Sequence, residues 1–372
     1  MRQIPKLGLF MLTALVAGNM IGSGVFLLPA TLAKIGSISL LAWVVTAIGA
    51  VFLALIFAQL SRLMPKIGGP YAYCREAFGD FAGFLIAYNY WIAVWVGNAA
   101  IAIAFVGYLA VFFPILNANL LLRYITAVIA VWFTTVVNMI SVHHAGVLQL
   151  ITTVLKVIPI ILIALIGIWY IHPENFAQFN LSGFSGWHAF STAAALTLWS
   201  FIGLESATVP AENVNKPEKT ISRATILGVT LTAILYILSS AAIMGIIPLS
   251  TLANSTAPYT DAAMKLFGPI GGSLVGIGAV IACFGALNGW VLLQGQIGLA
   301  LARDNLFPAA FAKQNRNGSP YIGLLISSFF ISVLLLMTLN ANLVAQFKFI
   351  ILLATLASLI PYFFSTMASL LI

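Results

Sequence analysis

Ten stretches of largely apolar residues follow one another along the chain, at approximately 8–31, 37–60, 79–111, 122–141, 147–171, 188–211, 223–247, 269–301, 320–338 and 344–370. A helix needs roughly 20 such residues to cross the hydrocarbon of a bilayer, where the backbone must also satisfy its own hydrogen bonds. A membrane β-barrel would read as short alternating segments instead, and that pattern is missing. The expected fold class is therefore an all-α polytopic membrane protein with ten transmembrane helices. Composition agrees: of 372 residues, 62% are hydrophobic and only 6% charged, with a mean hydropathy of +1.09.

The formal charge is +8, but the basic residues stand singly at span ends rather than in runs, so nucleic acid is not an expected partner. They report orientation. An N-terminus in the cytoplasm puts Arg2, Lys6, Arg62, Lys66, Arg75, Lys216, Lys219, Arg223, Arg303, Lys313 and Arg316 inside. Lys34, Arg123, Lys265 and Lys348 then face outward and Lys156 lies within a span, an excess of cations on the inner side. A multi-pass protein of the bacterial inner (plasma) membrane is expected. The first apolar stretch is too long for a signal peptide and lacks a small-residue cleavage site, so it is expected to stay in the protein.

Two cysteines, Cys74 and Cys283, offer neither a disulfide framework nor metal-ligand spacing, and the four histidines, His143, His144, His172 and His188, lie in loops or at span ends. A metal at His143–His144 lacks nearby carboxylate or thiolate partners. No cofactor is expected.

The longest polar stretches, HPENFAQFNLSGFSG and AENVNKPEKTISRA, are loops. The first divides the chain into five spans and five, residues 1–172 and 185–372, within one transmembrane domain. Each half opens on an interrupted span. GNMIGSGVF, Gly18 to Phe26, breaks the first; WSFIGLESATVPAENV, with Gly203, Glu205, Ser206 and Thr208, breaks the sixth. Paired interruptions at matching positions point to an inverted-repeat transporter, and an odd number of spans per half makes the halves insert with opposite orientation. Glycine eases departure from helical geometry, and backbone groups so freed must find partners in protein or a water-filled cavity. The half-helix after Gly24 presents N–H groups and a positive dipole end suited to a carboxylate, and carbonyls around Gly203 suit an ammonium. The alternative is close helix packing through Gly22, Ser23 and Gly24.

GNMIGSGVFLLPA, GGPYAYCREAFG, LWSFIGLES and PAENVNKPEKTISRAT resemble, in order and spacing, signatures of the amino acid–polyamine–organocation transporter superfamily. YWIAVWVGN, TLWSFIGLESA, SSAAIMGIIP, GWVLLQGQ and FPAAFAK further resemble its basic amino acid/polyamine group, the bacterial arginine/agmatine antiporters in particular. The resemblance implies a LeuT-like five-plus-five core with broken helices 1 and 6. That group usually has twelve spans, and this chain ends after the tenth. It also implies that Ser23 and Gly24, with Ile21 and Gly22 nearby, contact the substrate carboxylate, and that Trp199 and Ile202 form the facing wall. Ala93, Asn98, Ile101 and Trp290 complete the implied pocket, Asn98 at the far end of the substrate and Ile101 where a methionine is more usual. Tyr90 and Tyr362 match gating aromatics and Glu205 an acidic residue linked to proton sensitivity.

Residue chemistry runs in the same direction. Tryptophan faces bind a desolvated cation by about 2 kcal/mol or more, and a neutral amide such as Asn98 accepts without trapping it. The competing roles are interfacial anchoring or core packing for the tryptophans and helix–helix hydrogen bonding for Asn98. Glu205 and Lys156 are ionisable groups inside apolar spans, costing about 2.5–3.5 kcal/mol each at the bilayer centre unless partnered. Pairing with each other is one solution; a proton-linked switch is the other. Lys156 departs from the arginine/agmatine pattern and resembles the span-5 lysine of proton-coupled relatives, and Ala354 stands where a hydroxyl residue is usual. Two readings follow: exchange of arginine for agmatine, or broader proton-coupled amino acid symport through Lys156. Too few polar residues per span line a channel, a sensor's soluble output domain is missing, and no catalytic constellation appears, so an enzyme is not expected. The partners are an amino acid or amine and the lipid bilayer, and a homodimer is an allowed assembly.

Overall fold

The computed structural model describes residues 6–255, 257–339 and 343–372. Arg2, used above for orientation, lies outside the described residues, as does the side chain of Lys348. The helices are α1 (Leu9–Met20), α2 (Ser23–Ala33), α3 (Ser39–Leu63), α4 (Pro70–Phe78), α5 (Asp80–Leu109), α6 (Ile115–Ala118), α7 (Leu120–Ile140), α8 (Val142–Gly167), α9 (Gly186–Trp199), α10 (Pro217–Ile246), α11 (Leu249–Leu252), α12 (Pro258–Arg303), α13 (Tyr321–Met337) and α14 (Leu343–Ala368). Apart from an isolated β-bridge between Leu7 and Val214, the described residues contain no strand pairing.

Among the described residues, eight helical stretches are long and apolar enough to cross a membrane: Leu9–Ala33, α3, α5, α7, α8 continued to Tyr170, α10, α12 and Phe349–Ala368 of α14. This makes the chain a multi-pass membrane protein. Two of the ten expected spans fall short. In place of 188–211, α9 has 14 residues, and the chain then runs through turns and two short 3-10 segments, Ser206–Thr208 and Ala211–Asn213. Gly203 at φ +109° and Pro210 are the local reason, since neither continues an α-helix. In place of 320–338, α13 has 17 residues, about 26 Å of helix. The helix of the eighth span begins earlier than expected: α12 starts at Pro258 and bends at Gly268, φ 71°, just before Pro269.

Burial separates inner from outer helices. Of the most apolar window in Leu9–Ala33, 83% is buried in protein, against 33% for α3 and for α7. The first apolar segment is thus surrounded by helices: α1 packs against α8, α10 and α12, and α2 against α9, α10 and α12. On the other side α5 runs along α12 and α14. Lipid cannot drive apolar helices together, so small residues and polar ties do the work. Thr135 and Ser328 hydroxyls meet at 2.7 Å, Trp91 Nε1 donates to Ser327 Oγ at 3.0 Å, and Asn138 Nδ2 donates to Asn288 Oδ1 at 3.1 Å. Where α12 crosses α8, a Cβ on Gly285 would come within 2.6 Å of Thr152 Cβ. Replacing Gly285 by valine is therefore expected to force the two helices apart and lower the apparent unfolding temperature in detergent by roughly 5 °C or more, read by a thermal melt.

Candidate functional site

Helix α1 stops at Met20. Ile21 is extended, φ −76° and ψ 90°, with its N–H still on Ala17 O, and Gly22 adopts φ −147°, ψ −135° before α2 begins at Ser23. No side chain caps α2, so its first-turn N–H groups keep the orphan character of any helix start. Asn19 holds the interruption in place three ways: Nδ2 donates to Ser206 Oγ (2.8 Å), Oδ1 accepts from Gln149 Nε2 (3.4 Å), and the backbone oxygen accepts from Trp290 Nε1 (3.1 Å). The first of these ties the last turn of α1 to the short 3-10 segment that follows Gly203.

Beyond α9 the chain turns at Gly203, whose positive φ only glycine takes without strain. A Cβ there would sit 3.0 Å from Trp290 Cζ2 and 3.1 Å from Asn19 Cβ, so the turn also lies tight against the other interruption. Its carbonyl is not free as the sequence suggested: Gly203 O accepts from Ser206 N–H (3.0 Å), and Trp199 O from Ile202 N–H (3.2 Å). The Gly203 N–H donates to Tyr362 Oη (3.1 Å). Tyr362 in turn donates to Glu205 Oε2 and Tyr90 donates to Glu205 Oε1, both at 2.5 Å. Glu205 is fully buried and clamps α5, the turn and α14 together through the two phenols. Thr208 adds a hydrogen bond to the Glu205 carbonyl (2.7 Å).

Two small cavities adjoin the interruptions. One, of about 10 Å³, is lined by Asn19, Met20, Gly22, Ser23, Gly24, Ile101, Trp199, Ile202 and Trp290. The other, also of about 10 Å³, is lined by Ala93, Val94, Gly97, Ser358 and the same Ile101, Trp199, Ile202 and Trp290. Gly22, Ser23, Gly24, Ala93, Ile101, Trp199, Ile202 and Trp290, expected from the sequence, therefore come together. Ile21 and Asn98 line neither cavity. Asn98 is fully buried, its Nδ2 donating to Gln294 Oε1 (2.9 Å) and its Oδ1 without a partner among the described residues. Asn19, Met20, Val94, Gly97 and Ser358 were not singled out from the sequence. Asn19 sits inside the GNM of the glycine-rich run, a signal that was available. Ser358, on a helix with no interruption, offered none.

Lys156 is fully buried on α8, and its Nζ donates to Gly18 O at 2.5 Å, two residues before α1 ends. The pairing of Lys156 with Glu205 considered from sequence is not what forms: no ion pair joins them among the described residues, and each has its own partners in the two interruptions. Lys156 secures a backbone carbonyl of the first and Glu205 the turn of the second.

Charges gather at one end of the molecule. Glu76, Asp80, Glu212 and Asp304 line a cavity of about 540 Å³ together with Lys66, Arg75 and Arg303. Arg75 bridges Asp80 (2.6 Å) and Asp304 (2.7 Å), and Arg303 meets Glu212 (2.6 Å). These hydrogen bonds raise the Arg75 pKa further above its usual value, Asp80 first. Burial, then the hydrogen bond it donates to Asp304 (2.6 Å), raises the Tyr71 phenol well above its usual value. A raised phenol pKa keeps this donor protonated through neutral pH, and the contact is lost only as pH rises through that raised value.

A family model described as amino acid permease matches residues 7–372. The chain is 36% identical over 371 residues to a cadaverine/lysine antiporter of Escherichia coli strain K12, which covers 98% of this chain and 83% of that one. It is 35% identical over 364 residues to a putrescine transporter of Haemophilus influenzae, again over 98% and 83% of the two chains. The family and these relatives are transporters, not enzymes. Among solved structures, a Na+-coupled sialic acid symporter in a substrate-bound outward-open state matches with a TM-score of 0.63 at 13% identity, over 92% of this chain and 76% of that one. At that identity the likeness is one of fold.

Proposed function

The chain belongs to the amino acid permease family, and we propose on that premise that it is a secondary active exchanger of a cationic amino acid for its decarboxylated amine, in the bacterial inner membrane with the N-terminus cytoplasmic. Its core is a five-plus-five inverted repeat in which α1–α2 and the segment from α9 to Asn213 are the broken first and sixth helices. The observation that carries this reading is the hydrogen bond from Asn19 to Ser206, which brings two helix interruptions together beside Trp199 and Trp290.

The uncapped start of α2 at Ser23 and Gly24 takes the carboxylate. Trp199 and Trp290 take the cationic side chain by its faces. Asn98, one residue from Gly97 in the cavity wall, offers its unpaired Oδ1 to the head group, which is neutral as an acceptor and so releases its cargo. Tyr90, Tyr362 and Glu205 form the gate that locks or frees the turn at Gly203. Sequence resemblance favours arginine and agmatine, whereas the relatives named above exchange lysine for cadaverine or carry putrescine. All share the same cationic chemistry.

Reconstituted protein is expected to take up labelled arginine or lysine at least tenfold faster into vesicles preloaded with agmatine or cadaverine than into empty ones. Equal uptake by empty vesicles would defeat the exchange reading. Proton-coupled symport, motivated by the Lys156 contact with Gly18 O, predicts the opposite pattern: uptake into empty vesicles driven by an inward proton gradient and lost in Lys156→Ala.

A further inference from the structure

The end of α2 away from the interruption opens into a second large cavity, of about 470 Å³. Leu27, Ala30 and Thr31, at helical spacing on α2, line it with Lys34 at the C-terminal cap of that helix, and Ile103 and Gly107 of α5 line it as well. The same two helices supply Gly24 and Ile101 to the small cavity beside the interruption, so α2 and α5 run from one cavity to the other. Ten residues separate Gly24 from Lys34, about 15 Å of helix.

The electrostatic character of this mouth differs from that of the opposite end. Lys34 is exposed and is the charged side chain among its described lining residues, which include no carboxylate. The nearest acid by connectivity, Asp261, accepts from the hydroxyl of Ser255, one of the lining residues. No ion pair is formed by Lys34 among the described residues. The opposite cavity, by contrast, carries four carboxylates against three cations. A cationic amino acid approaching Lys34 can turn its own carboxylate toward the ammonium and its side chain away. A diamine of the same length carries a cation at both ends and has no favourable orientation.

We propose that Lys34 makes the α2 mouth select by charge, admitting the amino acid and disfavouring the doubly charged amine. This rests on the exchange reading above and adds a direction to it: the product amine, once released on this side, is hindered from competing with incoming amino acid.

The test uses right-side-out membrane vesicles preloaded with unlabelled lysine, labelled external lysine, and external cadaverine as competitor. Lys34→Gln is expected to lower the cadaverine concentration giving half-inhibition by about two- to fivefold, and Lys34→Glu further, because one extra unit charge is attracted or repelled across a partly screened distance. The lysine half-saturation concentration should move by less than half as much, Lys34→Arg should behave like the parent, and 0.5 M salt should erase the differences. Cadaverine inhibition unchanged in Lys34→Glu, or an equal shift for lysine and cadaverine, overturns the proposal. Absence of lysine exchange in the parent protein would instead overturn the exchange reading itself, so the two failures are told apart.

Discussion

Valine at position 24 is expected to reduce exchange by roughly 100-fold or more, equivalent to about 2.7 kcal/mol, while leaving the protein folded in the membrane. A Cβ on Gly24 would collide with Ser200 Oγ and lie 3.0 Å from Trp199 Cδ1 and 3.3 Å from Ser200 Cα. The last is backbone and cannot rotate away. The branched side chain would push the start of α2 from Trp199, enlarging the gap that the substrate carboxylate and side chain must span together. The control is Gly49→Ala on α3, where an added Cβ meets nothing within 4 Å. Transport by that variant should stay within about twofold of the parent, measured as labelled arginine or lysine counterflow at equal protein content.

Removing the Glu205 side chain is the second large effect. Tyr362 already accepts from Gly203 N–H and spends its one proton on Glu205 Oε2, while Tyr90 donates to Oε1. A glutamine has one acceptor oxygen, so one buried phenol loses its acceptor, at a cost of about 1–3 kcal/mol. Glu205→Gln should therefore slow exchange by roughly tenfold, and Glu205→Ala, which strands both phenols beside a void, by roughly 100-fold. The carboxylate is also the one fully buried acid among the described residues. The pH dependence of exchange is thus expected to flatten in Glu205→Gln. A glutamine variant that keeps the parent's rate and pH profile would show that the clamp at Gly203 does not govern the cycle.

Both interruptions were legible in the sequence because glycine and proline announce them: GNMIGSG lowers the cost of leaving the helix, and Gly203 with Pro210 does the same after α9. What holds them was not legible. Asn19 reaches Ser206 and Gln149 across 187 and 130 positions of chain, and no local pattern encodes such a distance. Lys156 was recognisable as a buried charge needing a partner, but a carbonyl freed by the end of α1 serves as well as a carboxylate, and sequence could not choose between them. Of the ten expected spans, eight match helices of membrane length among the described residues, and the sixth departs from expectation for a similar reason. Apolar composition runs on through 188–211, while helical geometry ends at Trp199.

A structure with labelled or heavy-atom-substituted amino acid bound at saturating concentration tests the central claim most directly. The substrate carboxylate is expected within hydrogen-bond distance of the Ser23 and Gly24 amides, with its cationic end between Trp199 and Trp290. Substrate density confined to the large cavity beside Lys34, with the space between the two interruptions closed, would contradict the account.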